Sequence, residues 1–264
     1  MTGLIACGGK LPVMFAENAA KRGEELVIIG VKGMADPKLK KLAKKYYEGN
    51  IFRLGAMMKT FRAEGVNKAG MLGRIEKVDL FRDFRPDLKT LRLVLSAKDR
   101  RDISLLKAMI GGFEKAGIKI IPVTEFLSEH IAKKGVCTRR KPSARELADI
   151  EFGIPIAKAI ADLDVGQAIV VKNKNVLAVE AVERTNETLL RGGKLGGKGA
   201  VAIKTARTKQ DMRMDVPGIG VETIETMIKG ELSCIAIEAG KMLLIEKEKT
   251  VKLADKHGIV IIAV

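Results

Sequence analysis

Tryptophan is missing from this chain of 264 residues, tyrosine occurs twice and phenylalanine eight times. Proteins that grip single-stranded nucleic acid stack bases on aromatic side chains. Such platforms are scarce here and no binding motif is recognisable, so nucleic acid is not an expected partner. Histidine is equally thin, at His130 and His257, and the three cysteines, Cys7, Cys137 and Cys234, lie far apart with no Cys-x-x-Cys spacing. An odd, dispersed set of this kind argues against a disulfide framework, a structural zinc site and a Cys-His nucleophile pair. No run approaches the roughly 18 consecutive apolar residues of a membrane span. The first residues also lack the basic, apolar and small-residue regions of a signal peptide, so a cytoplasmic location is expected.

What the chain has in abundance is positive charge, +16 in total. Residues 1–134 hold 27 Lys and Arg against 15 Asp and Glu, a balance of +12; residues 135–264 hold 21 against 17, a balance of +4. A Lys/Glu-rich surface of the heat-adapted kind accounts for this; so does attraction to anionic lipid headgroups or to a phosphorylated ligand. With 47% apolar residues, the length suffices for two moderate cores.

In the first half, short apolar runs alternate with amphipathic segments. "GLIA" (3–6), "ELVIIGV" (25–31), "KAGML" (68–72) and "IKIIPV" (118–123) read as buried strands. "PVMFAENAAKRG", "PKLKKLAKKY", "GAMMKTFRAEG" and "ISLLKAMIGGFEKAG" carry apolar residues at helical spacing and mostly end at glycine. This alternation predicts an α/β domain with an open parallel sheet over residues 1–131. The polar, basic segment 132–146 reads as a linker to a second, mixed α/β domain over 147–264. In that domain "QAIVVKN" and "VLAVEAV" form a hairpin across Lys174 and Asn175, followed by a glycine-rich loop at 192–199.

Three stretches could carry chemistry. In "GLIACGGKLP" (3–12) a strand runs into Gly8 and Gly9 and then a helix, so backbone amides can approach an anion at a helix N-terminus. Tight-turn geometry alone would explain the same glycines. The G-x-G-x-x-G spacing and the ribose-binding acid are both absent, which removes a dinucleotide fingerprint. "GGKLGGKGAV" (192–201) imitates a phosphate loop, but Gly199 replaces the magnesium-binding Ser/Thr, and a flexible loop is the better reading. In "QDMRMDVPGIGVETI" (210–224), Asp215 precedes a corner made by Pro217, Gly218 and Gly220. There it suits a metal ligand or weak base, or simply caps the turn or the helix that starts near Val221. Thr185 and Asn186 are each reasonable helix caps and could equally grip a phosphate, while Gln167 and Glu180 fit surface alternation on the hairpin.

The same stretches, with "FRAEG" (61–65), "DVGQAIVVKNKNVLAVEAVERTNETLLR" (164–191) and "IAIEAGKMLLIEKE" (235–248), resemble in order the LpxI family of UDP-2,3-diacylglucosamine pyrophosphatases. The resemblance implies a cytoplasmic enzyme of lipid A synthesis, peripheral to the inner membrane. It would hydrolyse UDP-2,3-diacylglucosamine to UMP and 2,3-diacylglucosamine 1-phosphate, with attack on the phosphorus nearer the glucosamine. It further implies Mg²⁺ and a Rossmann-like N-terminal domain that holds substrate against a C-terminal domain of the family's own kind; a homodimer is one option for assembly. The family's catalytic aspartate falls on Asp215, also the expected metal ligand, with Arg213 beside it. Its substrate contacts fall on Gly8, Gly9, Lys10, Leu11, Gly73, Thr185 and Lys204. The chain departs from the family pattern after the third strand, where Arg74 and Lys77 stand in for an Arg-Pro. It departs again at Asp102, where adjacent aspartates are usual, and at Met214, where an aromatic is usual. A non-catalytic module that binds a nucleotide sugar or phosphate ligand is the alternative reading.

Overall fold

Where apolar residues run without alternation, a strand must be covered on both faces. β1 (Thr2–Ala6) and β2 (Leu26–Val31) meet that condition and are buried at every position. They belong to a fully parallel sheet in the computed structural model, which describes residues 1–74, 86–96, 102–213 and 216–264. These residues divide into two units, the first holding 1–128 with 211–213 and the second 129–210 with 216–264.

The first unit adds β3 (Lys45–Gly49), β4 (Lys68–Leu72) and β5 (Lys119–Ile120) in the order β3-β2-β1-β4-β5. Its described helices are α1 (Leu11–Lys21), α2 (Leu39–Leu42), α3 (Leu54–Ala63), α4 (Leu88–Ser96), α5 (Asp102–Lys115) and α6 (Thr124–Leu127). Phe15, Phe61 and Phe113 are fully buried against the sheet. Direction reverses in this order at β1, from which the chain goes to β2 on one side and β4 on the other. Ligands of open α/β sheets bind at such a switch point, beyond the carboxyl ends of the strands.

Two expectations for this unit need correction. The helix read over 37–46 stops at Leu42, and Lys45–Gly49 forms the edge strand β3 instead. Tyr46 and Tyr47 favour a half-covered pleated edge, and Glu64 accepts from Lys45 Nζ at 2.6 Å and from the Tyr47 hydroxyl at 2.5 Å. The strand read over 118–123 is reduced to β5, because after Ile121 donates to Ala69 the next residue is Pro122, which has no N–H to give.

The second unit is a six-stranded mixed sheet in the order β6-β13-β11-β9-β7-β8. β9 (Val201–Lys204), β11 (Cys234–Ile237) and β13 (Val260–Ala263) are parallel, while β6 (Gly135–Val136), β7 (Ala168–Lys172) and β8 (Asn175–Val179) pair antiparallel. A two-stranded piece joins β10 (Gly218–Ile219) to β12 (Leu243–Leu244). The period of two along each strand sorts the core. Val170, Ala202, Ile235 and Ile261 pack with Leu189 of α8 (Arg184–Gly196), Met227 of α9 (Val221–Lys229) and Ala254 of α10 (Lys247–Lys256). Ile169, Ile203, Ala236 and Val260 pack with Ile150 and Ala157 of α7 (Ala144–Asp162).

Residues 132–146, expected as a linker, are built into this unit. β6 pairs with β13, and Arg140 reaches the Glu146 carboxylate at 2.7 and 2.9 Å. Glu146 also accepts from Ser233 Oγ and the Ser143 amide. Burial alone would raise its pKa, but these donors outweigh burial and hold it at about 2.

The hairpin turn lies one residue earlier than expected, at Asn173 and Lys174, which both take positive φ (53° and 54°) as a type I′ turn demands. The buried Asp149 carboxylate on α7 accepts both turn amides, at 3.0 and 2.6 Å. The glycine-rich stretch is also not a loop at its start, since α8 continues to Gly196. A Cβ on Gly192 would stand 2.4 Å from Val170, and one on Gly193 would stand 2.0 Å from the Gly230 carbonyl oxygen. These glycines are what lets the last turns of α8 lie against the sheet and against the end of α9.

Candidate functional site

At the switch point of the first unit the loops after β1 and β4 are stitched together. The Gly8 amide donates to the Arg74 carbonyl at 3.0 Å and the Arg74 amide to the Gly8 carbonyl at 2.7 Å. Gly73, between them, adopts φ +109°, and a Cβ there would stand 2.7 Å from the Cys7 carbonyl carbon and the Gly8 oxygen. The Gly8 amide is thus taken up within the protein. The next amides, of Gly9, Lys10 and Leu11, meet no acceptor among the described residues. Lys10 is the N-cap of α1 without a side-chain cap bond, and Pro12 follows in the first turn. The result is an exposed turn of main-chain donors at a helix N-terminus, the arrangement that receives anions.

A second polar group of this unit comes from distant sequence. Val123, just beyond β5, donates its amide to the Met212 carbonyl at 3.1 Å, which fixes the 211–213 segment. Arg213 is gripped by Asp211, with Nε to Oδ1 at 3.0 Å and an Nη to Oδ2 at 2.8 Å, while its other Nη reaches Glu114 at 3.1 Å. The Arg213 guanidinium holds the Asp211 carboxyl below its usual range, so the pair stays charged. A guanidinium carries five N–H donors; three are engaged in these contacts, and two remain among the described residues. Met214 and Asp215 lie outside the described residues, as does Lys77.

In the second unit, the carboxyl end of β9 delivers Lys204. Its Nζ donates to Thr185 Oγ1 and to the Gly218 carbonyl, both at 3.1 Å. The Thr185 hydroxyl donates to Glu180 at 2.8 Å, and the other Glu180 oxygen accepts from the Gln167 amide at 3.0 Å. Gln167 Nε2 continues to Gln210 at 3.2 Å. Thr185 and Lys204, singled out separately, are therefore neighbours, and Lys204 also reads the Pro-Gly corner that follows Asp215. Gln167 and Glu180 are half-buried members of the same chain of bonds, not the surface alternation they resemble in sequence. Local spacing gave no sign of this, because the partners come from the ends of β7 and β8, from α8 and from β9.

Beyond β11, Glu238 accepts from Lys158 at 2.9 Å, Lys241 at 2.9 Å and the Ala206 amide at 2.9 Å. Burial would raise its pKa, and these donors lower it on balance. Sequence reasoning missed this cluster too. The thiols take no part: burial pushes Cys7 up to about 12 and Cys234 higher still, so neither offers a thiolate near neutral pH.

A parallel sheet with an anion-receiving turn at its switch point, and a mixed sheet with Lys, Thr and Glu side chains at its strand ends, define a protein of two α/β units. The comparisons name its family. The LpxI N-terminal domain matches residues 1–130 and the LpxI C-terminal domain matches residues 133–262. The UDP-2,3-diacylglucosamine pyrophosphatase LpxI of Caulobacter vibrioides is 32% identical over 276 aligned positions, covering 99% of this chain and 96% of that protein. The chain belongs to the LpxI family. Among solved structures, the biotin carboxylase subunit of pyruvate carboxylase overlaps 64% of this chain and 34% of its own at 16% identity, with a TM-score of 0.27.

Proposed function

We propose that this chain hydrolyses the pyrophosphate of UDP-2,3-diacylglucosamine to UMP and 2,3-diacylglucosamine 1-phosphate, in lipid A synthesis. The observation that carries this reading is the end-to-end match to a relative named for that pyrophosphatase activity. Displacement at phosphorus asks the protein for position and for positive charge where negative charge accumulates. In the first unit the amides of Gly9, Lys10 and Leu11 and the two remaining Arg213 donors supply it. In the second unit Lys204, steadied by Thr185 and Gly218, presents one ammonium beside the corner that follows Asp215.

Asp215 is assigned as the carboxylate that orients the attacking water and holds Mg²⁺. Among the described residues no group of three or more His, Cys, Asp or Glu could hold a metal. Asp211, Glu180 and Glu238 are each occupied by donors of their own unit. The Mg²⁺ reading therefore rests on Asp215, an ion of this kind needing only one or two protein carboxylates beside waters and substrate phosphates. When bound, the ion would offset charge on the two phosphates. In the reaction a water oxygen bonds to the phosphorus nearer the glucosamine, the bond from that phosphorus to the bridging oxygen breaks, and UMP leaves with the bridge.

The reading includes a cytoplasmic location at the inner-membrane surface and leaves room for a homodimer, which light scattering would report. Among the described residues no helix is long and apolar enough to cross a membrane. The deciding experiment incubates the purified protein with UDP-2,3-diacylglucosamine, with and without Mg²⁺, and follows UMP. Release that requires Mg²⁺ is expected. Binding of the nucleotide sugar by calorimetry with no UMP under either condition would replace this reading with the non-catalytic module.

A further inference from the structure

Single apolar residues on a protein surface are ordinary, but a contiguous exposed stripe is not. α4 carries one. Leu88 and Leu95 are 75% and 76% exposed, Leu91 and Val94 44% and 49%. Leu88, Leu91 and Leu95 follow the i, i+3, i+7 spacing of one helix face, while Thr90 and Leu93 turn the opposite face inward. Helical spacing puts Lys89 and Arg92 along one flank of the stripe.

On that flank lies an open groove of about 420 Å³ lined by Gly55, Met58, Lys59, Arg62 and Ala63 of α3 and by Lys89 of α4. Lys59, Arg62 and Lys89 are exposed, and none of the three forms an ion pair among the described residues. The nearby acid, Asp87, is engaged at the starts of α4 and α3, accepting from the Thr90 amide and hydroxyl and from the Ala56 amide.

We propose that this face docks on an anionic lipid bilayer, with the α4 stripe in the boundary between headgroups and acyl chains and a lipid phosphate in the Lys59-Arg62-Lys89 groove. An apolar face bordered by cations is the composition of an interfacial helix, and the half of the chain that holds it carries +12 of the +16 net charge. The other basic concavity, along α10, is less suited. Its cations Lys247, Lys249, Lys252 and Lys256 are interleaved with Glu248 and Asp255, and Lys249 pairs with Glu246. The proposal rests on the proposed function only for its purpose, delivery of a lipid-borne substrate.

Its test is co-sedimentation at low salt with vesicles of phosphatidylcholine alone or with about a third phosphatidylglycerol, a system that contains no substrate. The wild type should prefer the anionic vesicles at least about tenfold and lose that preference as salt rises. Lys59→Gln/Arg62→Gln/Lys89→Gln should weaken binding to them about a hundredfold, at roughly fivefold for each charge. Leu88→Ser/Leu91→Ser/Leu95→Ser should weaken it at least about tenfold through lost apolar burial. Lys249→Gln/Lys252→Gln/Lys256→Gln should bind as the wild type does. Equal binding of the wild type to both vesicles would overturn the proposal, as would full binding by the cation variant. So would self-association that the leucine variant abolishes while it still binds vesicles. If the leucine variant fails to fold, the cation variant, changed only at exposed side chains, decides the matter. Both variants should keep UMP release from detergent-dispersed substrate, so vesicle binding and turnover can fail separately.

Discussion

At its sheet's switch point the first unit carries main-chain donors, while the second carries side-chain donors at its strand ends. After β1 the donors are amides of a turn held open by the Gly8–Arg74 bridge, and no side chain caps α1. After β9 the donor is a lysine ammonium, steadied by a threonine hydroxyl that is itself anchored to a glutamate. Main-chain donors are displaced by adding atoms nearby or lost only to proline, which also constrains the backbone. Side-chain donors can be deleted singly. The two units should therefore respond to different kinds of substitution.

The strongest break in this comparison is Asp215→Ala, which removes a carboxylate assigned to the chemistry itself. Turnover should fall at least about 10²-fold with nucleotide-sugar binding retained, comparable to losing a key transition-state contact; UMP release by the purified variant at the wild-type rate would end the assignment. Next is Glu146→Gln in the second unit, which leaves Arg140 without its anion and should cost about 3 kcal/mol in denaturant unfolding at neutral pH. The sign with pH follows from the depressed carboxyl. Its stabilisation is complete above its ordinary pKa and is lost as pH falls toward about 2. The wild type should lose stability through that window more steeply than the variant, and parallel curves would contradict the account of Arg140.

Gly73→Ala tests the main-chain side. A Cβ there meets backbone atoms of Cys7 and Gly8 in a conformation that disfavours L residues. A loss of about 2 kcal/mol in unfolding free energy is expected, with weaker substrate binding because the anion turn is pushed open. Lys204→Met is the mildest. It deletes the ammonium with its bonds to Thr185 and Gly218, and loss of the one charge-assisted contact assigned to substrate should lower kcat/KM about tenfold; an effect confined to stability would recast Lys204 as a strut for the Gly218 corner.

How much of this was legible in sequence depends on how local the cause is. β1 and β2 declare themselves because strands buried on both faces are largely apolar, and β4 shows the same in its buried Ala69, Gly70 and Leu72. β3 does not, since an edge strand with Lys45 and Glu48 exposed carries no such pattern. Gly192 and Gly193 look like a loop because what requires them, Val170 and Gly230, is distant in sequence. The basic segment 132–146 looks like a linker until Glu146 is seen to gather Arg140, Ser143 and Ser233. For the site, the Gly8–Gly9 turn and Thr185 are legible from strand, turn and helix-start signals, and Lys204 through family resemblance. Glu180, Gln167, Lys158 and Glu238 are not, because their roles exist only after β8, β9, β11 and the helices have come together.

The pairing of β6 with β13 sets a clock on biosynthesis. The five-strand sheet of the first unit has all its strands once Ile120 has been made, and a unit with that property can begin to fold while translation continues. The second unit must wait. Its strand β13 lies between β6 and β11, so residues 135–136 emerge early and keep an unpaired edge until residues 262–263 arrive. During that interval the exposed edge is open to wrong partners, and chaperone demand should fall on the second half of the chain.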